Sequence, residues 1–482
     1  MPNEQTTKSI MMKPKVLLVN TNTEQMPYPV PPLGLSILAN IIKDMYEVFL
    51  YDGVSLGHTR LSETIAQFKP DIIGFGIRNV DNMDMTNPCF YLDEVKKNFF
   101  DQARAVTQVP FIIGGSGYSL YPQSLLHFFD ADYGLTGECE ESFCLFLKAF
   151  FSTANFNEIP GLVTKTYVNT SIPLREIDNQ SDIDLHIDFN YYKQRGAYSI
   201  QTKRGCYHHC IYCTYPLLEG RNYRKRTVIS LLNEIENVCA RIENPLIEFV
   251  DSTFNDPPGH AEEICEAIIK RGVKARFRTM GINPAHTSVN LFELMRAAGF
   301  TQIDCTPDSA SPVMIRNFKK NFTIKQLEDT ASFIKELAIP TMWFFIIGGP
   351  GETEKTLEET LSFIQDKIDP LNMIHLTTGL RIYPKTELHK IAIEQQFISK
   401  QDDLLLPKFY LSPDINKEYL ELRLAAFARK NLNFIPAKES KPSAEMMVEA
   451  MKRRKEQKLT EPMFKTLLSI RYDWVKEGKI VL

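Results

Sequence analysis

Short β-rich apolar runs alternate with amphipathic helical stretches from Lys15 to Ile382, and most of the runs end on glycine, aspartate or serine. That pattern confines the chain to α/β folds with largely parallel strands, because each helix carries the chain back across the sheet. Over residues 1–150 the spacing predicts strands at Lys15–Asn20, Glu47–Tyr51, Asp71–Ile77, Val109–Ile113 and Tyr133–Leu135. Five such strands imply a doubly wound parallel sheet, whose ligands lie across the strands' carboxyl ends. The sequence collects there Gly34 of a Pro-Pro-Leu-Gly helix entry, Asp52-Gly53, Arg78-Asn79, Gly114-Gly115-Ser116-Gly117 and Gly137-Glu138. The glycines allow close backbone approach to a flat or phosphate-bearing cofactor. The same residues also read as ordinary turns between strand and helix.

Residues 151–195, with Pro160-Gly161 and the acidic stretch Asp178–Asp188, read as a linker. A second series occupies residues 196–400, with strands at Tyr198–Thr202, Leu246–Val250, Ala275–Thr279, Gln302–Thr306, Thr341–Ile347 and near His375–Ile382. Six βα units predict a partial (β/α)6 barrel with its chemistry at the strands' carboxyl ends. The first strand runs into Cys206-Tyr207-His208-His209-Cys210-Ile211-Tyr212-Cys213. Three thiolates at this spacing hold three irons of a [4Fe–4S] cube, leaving the fourth iron open to chelate the amino and carboxylate groups of a small molecule. A zinc site would need His208 or His209 as fourth ligand. The tight spacing, Tyr212 before the last cysteine and the strand–loop–helix context favour the cube. Residues 401–482 read as a small, mostly helical C-terminal region that covers the barrel's open side.

Composition narrows the rest. No run approaches the ~20 apolar residues of a membrane helix. The polar start up to Val16 lacks a signal peptide's apolar core, and the expected location is cytoplasmic. In that reducing setting the remaining cysteines, Cys89, Cys139, Cys144, Cys239, Cys265 and Cys305, are expected to stay free. A net charge of −4 without a basic stripe argues against a nucleic-acid track. The densest basic patch, Arg221, Arg224, Lys225 and Arg226, reads as a solvated helix start or as a site for an anionic substrate.

The cysteine loop and the strand ends after it resemble the radical S-adenosylmethionine (SAM) superfamily. The PPLGL, GGSG and GECEESF stretches resemble the cobalamin (B12)-binding domain that precedes many of its barrels. The resemblance implies a [4Fe–4S] cluster on Cys206, Cys210 and Cys213, and SAM contacts at Tyr212, Asp251, Asp308, Ser309, Gly348 and Arg381. It also implies cobalamin contacts at Gly34, Arg78, Asn79, Gly114, Gly115, Ser116, Gly137 and Glu138. The Asp-x-His-x-x-Gly motif that gives a histidine to cobalt in other cobalamin proteins is absent, which implies a lower face without a protein imidazole. The implied activity is C-methylation at an unactivated carbon of a small molecule or natural-product intermediate, with an external electron donor such as flavodoxin or ferredoxin. Two alternatives stay open: a SAM cleavage without cobalamin, such as aminocarboxypropyl transfer or a rearrangement, and an iron–sulfur or cobalamin sensor.

Overall fold

A computed structural model describes residues 13–25, 28–152, 154–178, 188, 191–192, 196–436 and 442–479. The N-terminal sheet comprises β1 (Lys15–Asn20), β2 (Glu47–Asp52), β3 (Ile72–Gly76), β4 (Phe111–Gly114), β5 (Tyr133–Leu135) and β6 (Leu162–Val163), in the order β2-β1-β3-β4-β5-β6. Its first five strands are parallel, and β6 pairs antiparallel to β5. The burial patterns explain the order. Central β1 is continuously apolar from Val16 to Val19 and buried to Asn20, as a strand covered by helices on both faces must be. Edge strand β2 alternates exposed and partly buried residues until Tyr51. The chain reverses direction between β1 and β3, the place where such sheets open a crevice.

The segment expected to be a linker is partly domain. Ile159, Leu162 and Val163 are buried in the N-terminal core, because β5 would otherwise present an unpaired edge. Most of the acidic stretch Asp178–Asp188 lies outside the described residues.

The second sheet begins with β7 (Tyr198–Ile200). A small antiparallel hairpin, β8 (Lys203–Arg204) with β9 (Arg224–Lys225), brackets the cysteine loop. Then come β10 (Leu246–Phe249), β11 (Arg276–Ile282), β12 (Phe300–Asp308), β13 (Thr341–Ile347) and β14 (Met373–Thr378), followed by the antiparallel pair β15 (Leu380–Arg381) and β16 (Phe409–Tyr410) and by β17 (Phe434–Pro436). The barrel order is β7-β10-β11-β12-β13-β14-β17, all parallel. The six expected strands are joined by a seventh from the C-terminal region, seated where the Phe434 ring packs edge-on against Phe427 at 5.1 Å. Along β13, Thr341, Trp343, Phe345 and Ile347 are buried, while Met342, Phe344 and Ile346 stay partly open toward the lumen.

The helices between the strands start where side chains cap them. Thr227, Ser288 and Asn416 each accept a bond from a backbone N–H in the first turn, and Thr323 and Thr353 form reciprocal capping boxes. Helices Lys417–Lys430, Ala444–Gln457 and Met463–Lys476 complete the C-terminal region. Among the described residues no helix is long and apolar enough to cross a membrane.

Candidate active site

The cysteine loop is held at both ends by backbone demands. Gly205 has φ +92°, and an added Cβ there would run into the Asn222 carbonyl, so the entry to the loop requires glycine. Cys206 N–H donates to Gly220 O at 3.1 Å and Cys213 N–H to Cys210 O at 3.2 Å. Between them buried Ile211 pins the loop, donating to Phe318 O at 3.3 Å and accepting from Leu388 N–H at 2.8 Å. Burial pushes all three thiols up, and Cys213 reaches about 12 through burial and the charges of Cys210 and Cys206. The ammonium of Lys320 counters this at Cys210 and Cys213. The three sulfurs thus share one electrostatic neighbourhood with a resident cation, which suits thiolates bound to iron.

Zinc fits these residues poorly. Among the described residues no three His, Cys, Asp or Glu side chains converge closely enough for one metal ion. A tetrahedral ion draws its ligands together at about 2.0–2.3 Å, whereas a cube spreads its thiolates over separate irons. The histidines are otherwise engaged. His208 Nε2 lies 2.7 Å from Asp256 Oδ2, and His209 Nδ1 lies 3.2 Å from the Arg221 guanidinium.

The strand ends around the loop sort into two groups. In the first, Tyr212 packs edge-on against Phe318 at 5.7 Å, and its hydroxyl donates to Asp308 Oδ2. Lys320 Nζ sits 2.6 Å from the same oxygen, and no hydrogen bond from the described residues reaches Asp308 Oδ1. Lys320 escaped the sequence reading because it follows a short helix rather than a strand end.

The second group is already bonded within the protein, and four expected SAM contacts fall in it. Asp251 accepts from the Thr202 and Lys203 amides at 2.8 and 3.1 Å and from Thr202 Oγ1 at 2.6 Å, with Lys203 Nζ at 3.8 Å. It staples β7 to β10. Ser309, fully buried, shares a hydrogen bond with Thr360 at 3.1 Å and accepts from Ser311 N–H at 3.1 Å. Gly348 N–H donates to Glu352 at 3.2 Å, and its carbonyl accepts from Ser412 N–H at 2.8 Å. Arg381 lies on β15, past the end of β14. Its Nε donates to Asp81 at 2.8 Å, its Nη1 to Ile382 O and its Nη2 to Leu404 O at 2.7 Å. The guanidinium therefore clamps the N-terminal domain to the barrel instead of reaching a SAM carboxylate.

The N-terminal rim sorts the same way. Gly34, Arg78, Asn79 and Ser116 are exposed, and an added Cβ at Gly34 would meet nothing within 4 Å. Gly114 is also nearly open, with Leu135 O at 3.5 Å from its virtual Cβ. Gly115 and Gly137 are required by the protein's own packing. At Gly115, φ is +104° and a Cβ would lie 2.5 Å from Ile77 O; at Gly137, φ is +73° and Ser171 would be 2.9 Å away. Both glycines serve close packing of the protein on itself. Gly115→Ala is accordingly expected to cost roughly 3 kcal/mol from backbone strain alone. Chemical denaturation would show it, and an unchanged midpoint would count against this placement. Glu138 is likewise taken: it binds Arg224 through both carboxylate oxygens, at 2.5 and 2.6 Å, and accepts from Leu174 N–H.

Of the basic patch, Arg224 and Arg226 are consumed by ion pairs with Glu138 and Glu234, while Arg221 and Lys225 stay exposed. The rim and the cysteine loop are neighbours. The helix Tyr215–Leu218 after the cysteines packs on the helix Ser116–Leu120 after β4. Tyr215 feels the charges of both Arg78 and Cys213, yet is 40% exposed.

Residues 200–364 match the Radical SAM superfamily. An uncharacterized methyltransferase of Pyrococcus horikoshii is 25% identical over 80% of this chain and 84% of its own. Tryptophan 2-C-methyltransferase of Streptomyces laurentii is 22% identical over 80% and 76%. The radical SAM methyltransferase TsrM of Kitasatospora setae, solved with cobalamin and a [4Fe–4S] cluster, superposes with a TM-score of 0.82 at 21% identity, covering 97% of this chain and 99% of that one. The barrel strands and helices from Ile200 to Ile364, which take in the three-cysteine loop, are thus the part of the chain that resembles the radical SAM superfamily, and the chain as a whole shares its fold with TsrM.

Proposed function

We propose that the chain is a cobalamin-dependent radical SAM C-methyltransferase acting on an unactivated carbon of a small molecule. The junction at Tyr215 carries this reading, because there the N-terminal rim lies beside the cysteine loop. At this junction Cys206, Cys210 and Cys213 would hold the cluster, with SAM at its open iron. When bound, the cluster and SAM supply a radical and cobalamin supplies a methyl group; the protein orients them and excludes quenchers.

Lys320 offsets the charge of the thiolates and, with Tyr212, holds the Asp308 carboxylate at the barrel mouth. Its open Oδ1 is placed to receive a hydroxyl or ammonium of SAM. On the opposite wall Gly34 leaves room for a corrin edge, with Arg78, Asn79 and Ser116 around it. No described loop at these strand ends offers a histidine except the one after β2, whose His58 ring stands against Phe99 at 6.5 Å. His127 sits in the last turn of the helix Pro122–Phe128, at the far end of the sheet. An external reductant and a reducing, cytoplasmic setting complete the proposal, in keeping with nine free cysteines.

Reconstituted protein should take up cobalamin, and its cob(II)alamin EPR signal should lack nitrogen superhyperfine splitting. Splitting would mean a histidine ligand and a different orientation. No uptake at micromolar excess would replace methyl transfer with a SAM cleavage independent of cobalamin.

A further inference from the structure

The barrel floor holds charged groups that the chemistry at the mouth does not use. On the barrel strands Ile247, Phe277, Ile303, Trp343 and Ile374 belong to the core shared with the surrounding helices, so the alternate residues face the lumen. Glu248, Arg278 and Gln302 stand in register across β10, β11 and β12, with Asp304 one inward position nearer the mouth. Arg278 Nε lies 2.7 Å from Glu248 Oε1, and Tyr28 from the N-terminal domain donates to that same oxygen at 2.9 Å. The guanidinium lies 3.9 Å over the Tyr28 ring. Arg278 is only 8% exposed, yet its Nη2 has no hydrogen-bond partner among the described residues. A buried donor left unmade is costly, so this one waits for an acceptor.

Asp304 is the complementary case. It accepts one hydrogen bond, from Gln302 Nε2 at 2.8 Å, and burial pushes its carboxyl up to about 7. Met342 stands level with Asp304, and toward the mouth follow Met280, 44% exposed, Phe344 and His375, all at least partly open although they lie inside the barrel. The Phe344 and His375 rings are 5.6 Å apart. Interior strand residues keep exposed surface only where open space adjoins them, so these side chains wall a cavity above the charged floor.

We propose that this cavity binds a substrate through a zwitterionic α-amino-acid headgroup, its carboxylate on Arg278 and its ammonium on Asp304, with a large apolar side chain directed at the mouth. The carboxylate supplies the acceptor that Nη2 lacks. The ammonium supplies Asp304 with donors beyond Gln302 and with a cation in addition to Arg278, and both bonds are charge-assisted. Four residues of β12 separate Asp304 from Asp308 at the mouth, about 13 Å of strand. The reacting carbon is therefore on the side chain and not the α-carbon. Only that last step rests on the methyltransferase reading; binding does not.

The test is equilibrium binding to the reconstituted full-length protein, by titration calorimetry or saturation-transfer NMR, with three probes: L-phenylalanine, phenethylamine and 3-phenylpropanoate. Phenylalanine is expected to bind at least about tenfold more tightly than either singly charged analogue. Asp304→Asn, which leaves the Arg278–Glu248 pair intact, should weaken phenylalanine and phenethylamine and spare phenylpropanoate. Arg278→Gln should do the reverse. Absence of phenylalanine binding, equal binding of all three probes, or an Asp304→Asn protein that binds as before would overturn the proposal and leave the network a structural floor. If the headgroup preference fails while SAM cleavage and cobalamin uptake persist, only this inference falls. If the preference holds without cobalamin uptake, only the methyl-transfer reading falls.

Discussion

Replacing Cys206, Cys210 and Cys213 together with alanine is expected to remove the iron altogether, from about four atoms per chain to none, with loss of the visible absorbance and of reductive SAM cleavage. The effect is all-or-none because the three thiols come from one loop and the charges of Cys210 and Cys206 act on Cys213. Cys265 and Cys305 are buried among core residues on the helix side of the barrel. Single Ser variants of those two should cost roughly 1–3 kcal/mol of stability and keep the cluster's EPR signal. Iron analysis and EPR of anaerobically reconstituted protein check both arms. Stoichiometric zinc in anaerobically purified protein, or a cluster surviving the triple replacement, would remove the basis for the cluster site.

The second large effect is expected at Glu138. The sequence places it among residues that touch cobalamin, whereas the structure makes it the centre of a buried clamp. Arg224 binds it with two nitrogens from the hairpin that brackets the cysteine loop, and Arg204 approaches within 3.8 Å. Glu138→Ala leaves the largely buried Arg224 guanidinium without its counter-charge, while Arg204 keeps Glu140, and breaking such a pair costs about 3–5 kcal/mol. Chemical denaturation should show the loss even without any cofactor. A variant of unchanged stability that no longer takes up cobalamin would restore Glu138 to the cofactor wall. The clamp does not act alone. Arg204–Glu140 at 2.6 Å and Arg381–Asp81 at 2.8 Å also tie the N-terminal domain to the barrel, and Tyr192–Asp52 at 2.8 Å ties it to the segment just before β7. The N-terminal domain and the barrel are thus fixed relative to each other by buried polar bonds and not by a loose linker.

The alternation of strands and helices, read from periodicity, placed every parallel strand of the two sheets except β17 to within a few residues. That works because a strand covered on both faces must be continuously apolar, as Val16–Val19 are, and because helix starts carry their caps locally. The cysteine loop was legible for a similar reason, since its three ligands lie within eight residues and need no distant partner. β17 was not legible: three residues ending in proline carry no periodic signal, and only the open edge of β14 makes them a strand. The fate of the polar residues at the strand ends was decided by tertiary structure alone. Sequence puts Asp251, Ser309, Arg381 and Glu138 at the correct edge, but a carboxylate or guanidinium at that edge takes whichever partner the fold brings closest. For Arg381 that partner lies 300 residues earlier, on Asp81, and for Asp251 it lies 49 residues earlier, on Thr202. Asp308 and Arg278 were left with hydrogen-bonding capacity to spare because the lumen brings no protein group to meet it. Local spacing determines which residues reach the site; only the packing of distant segments determines which of them are still available to a ligand.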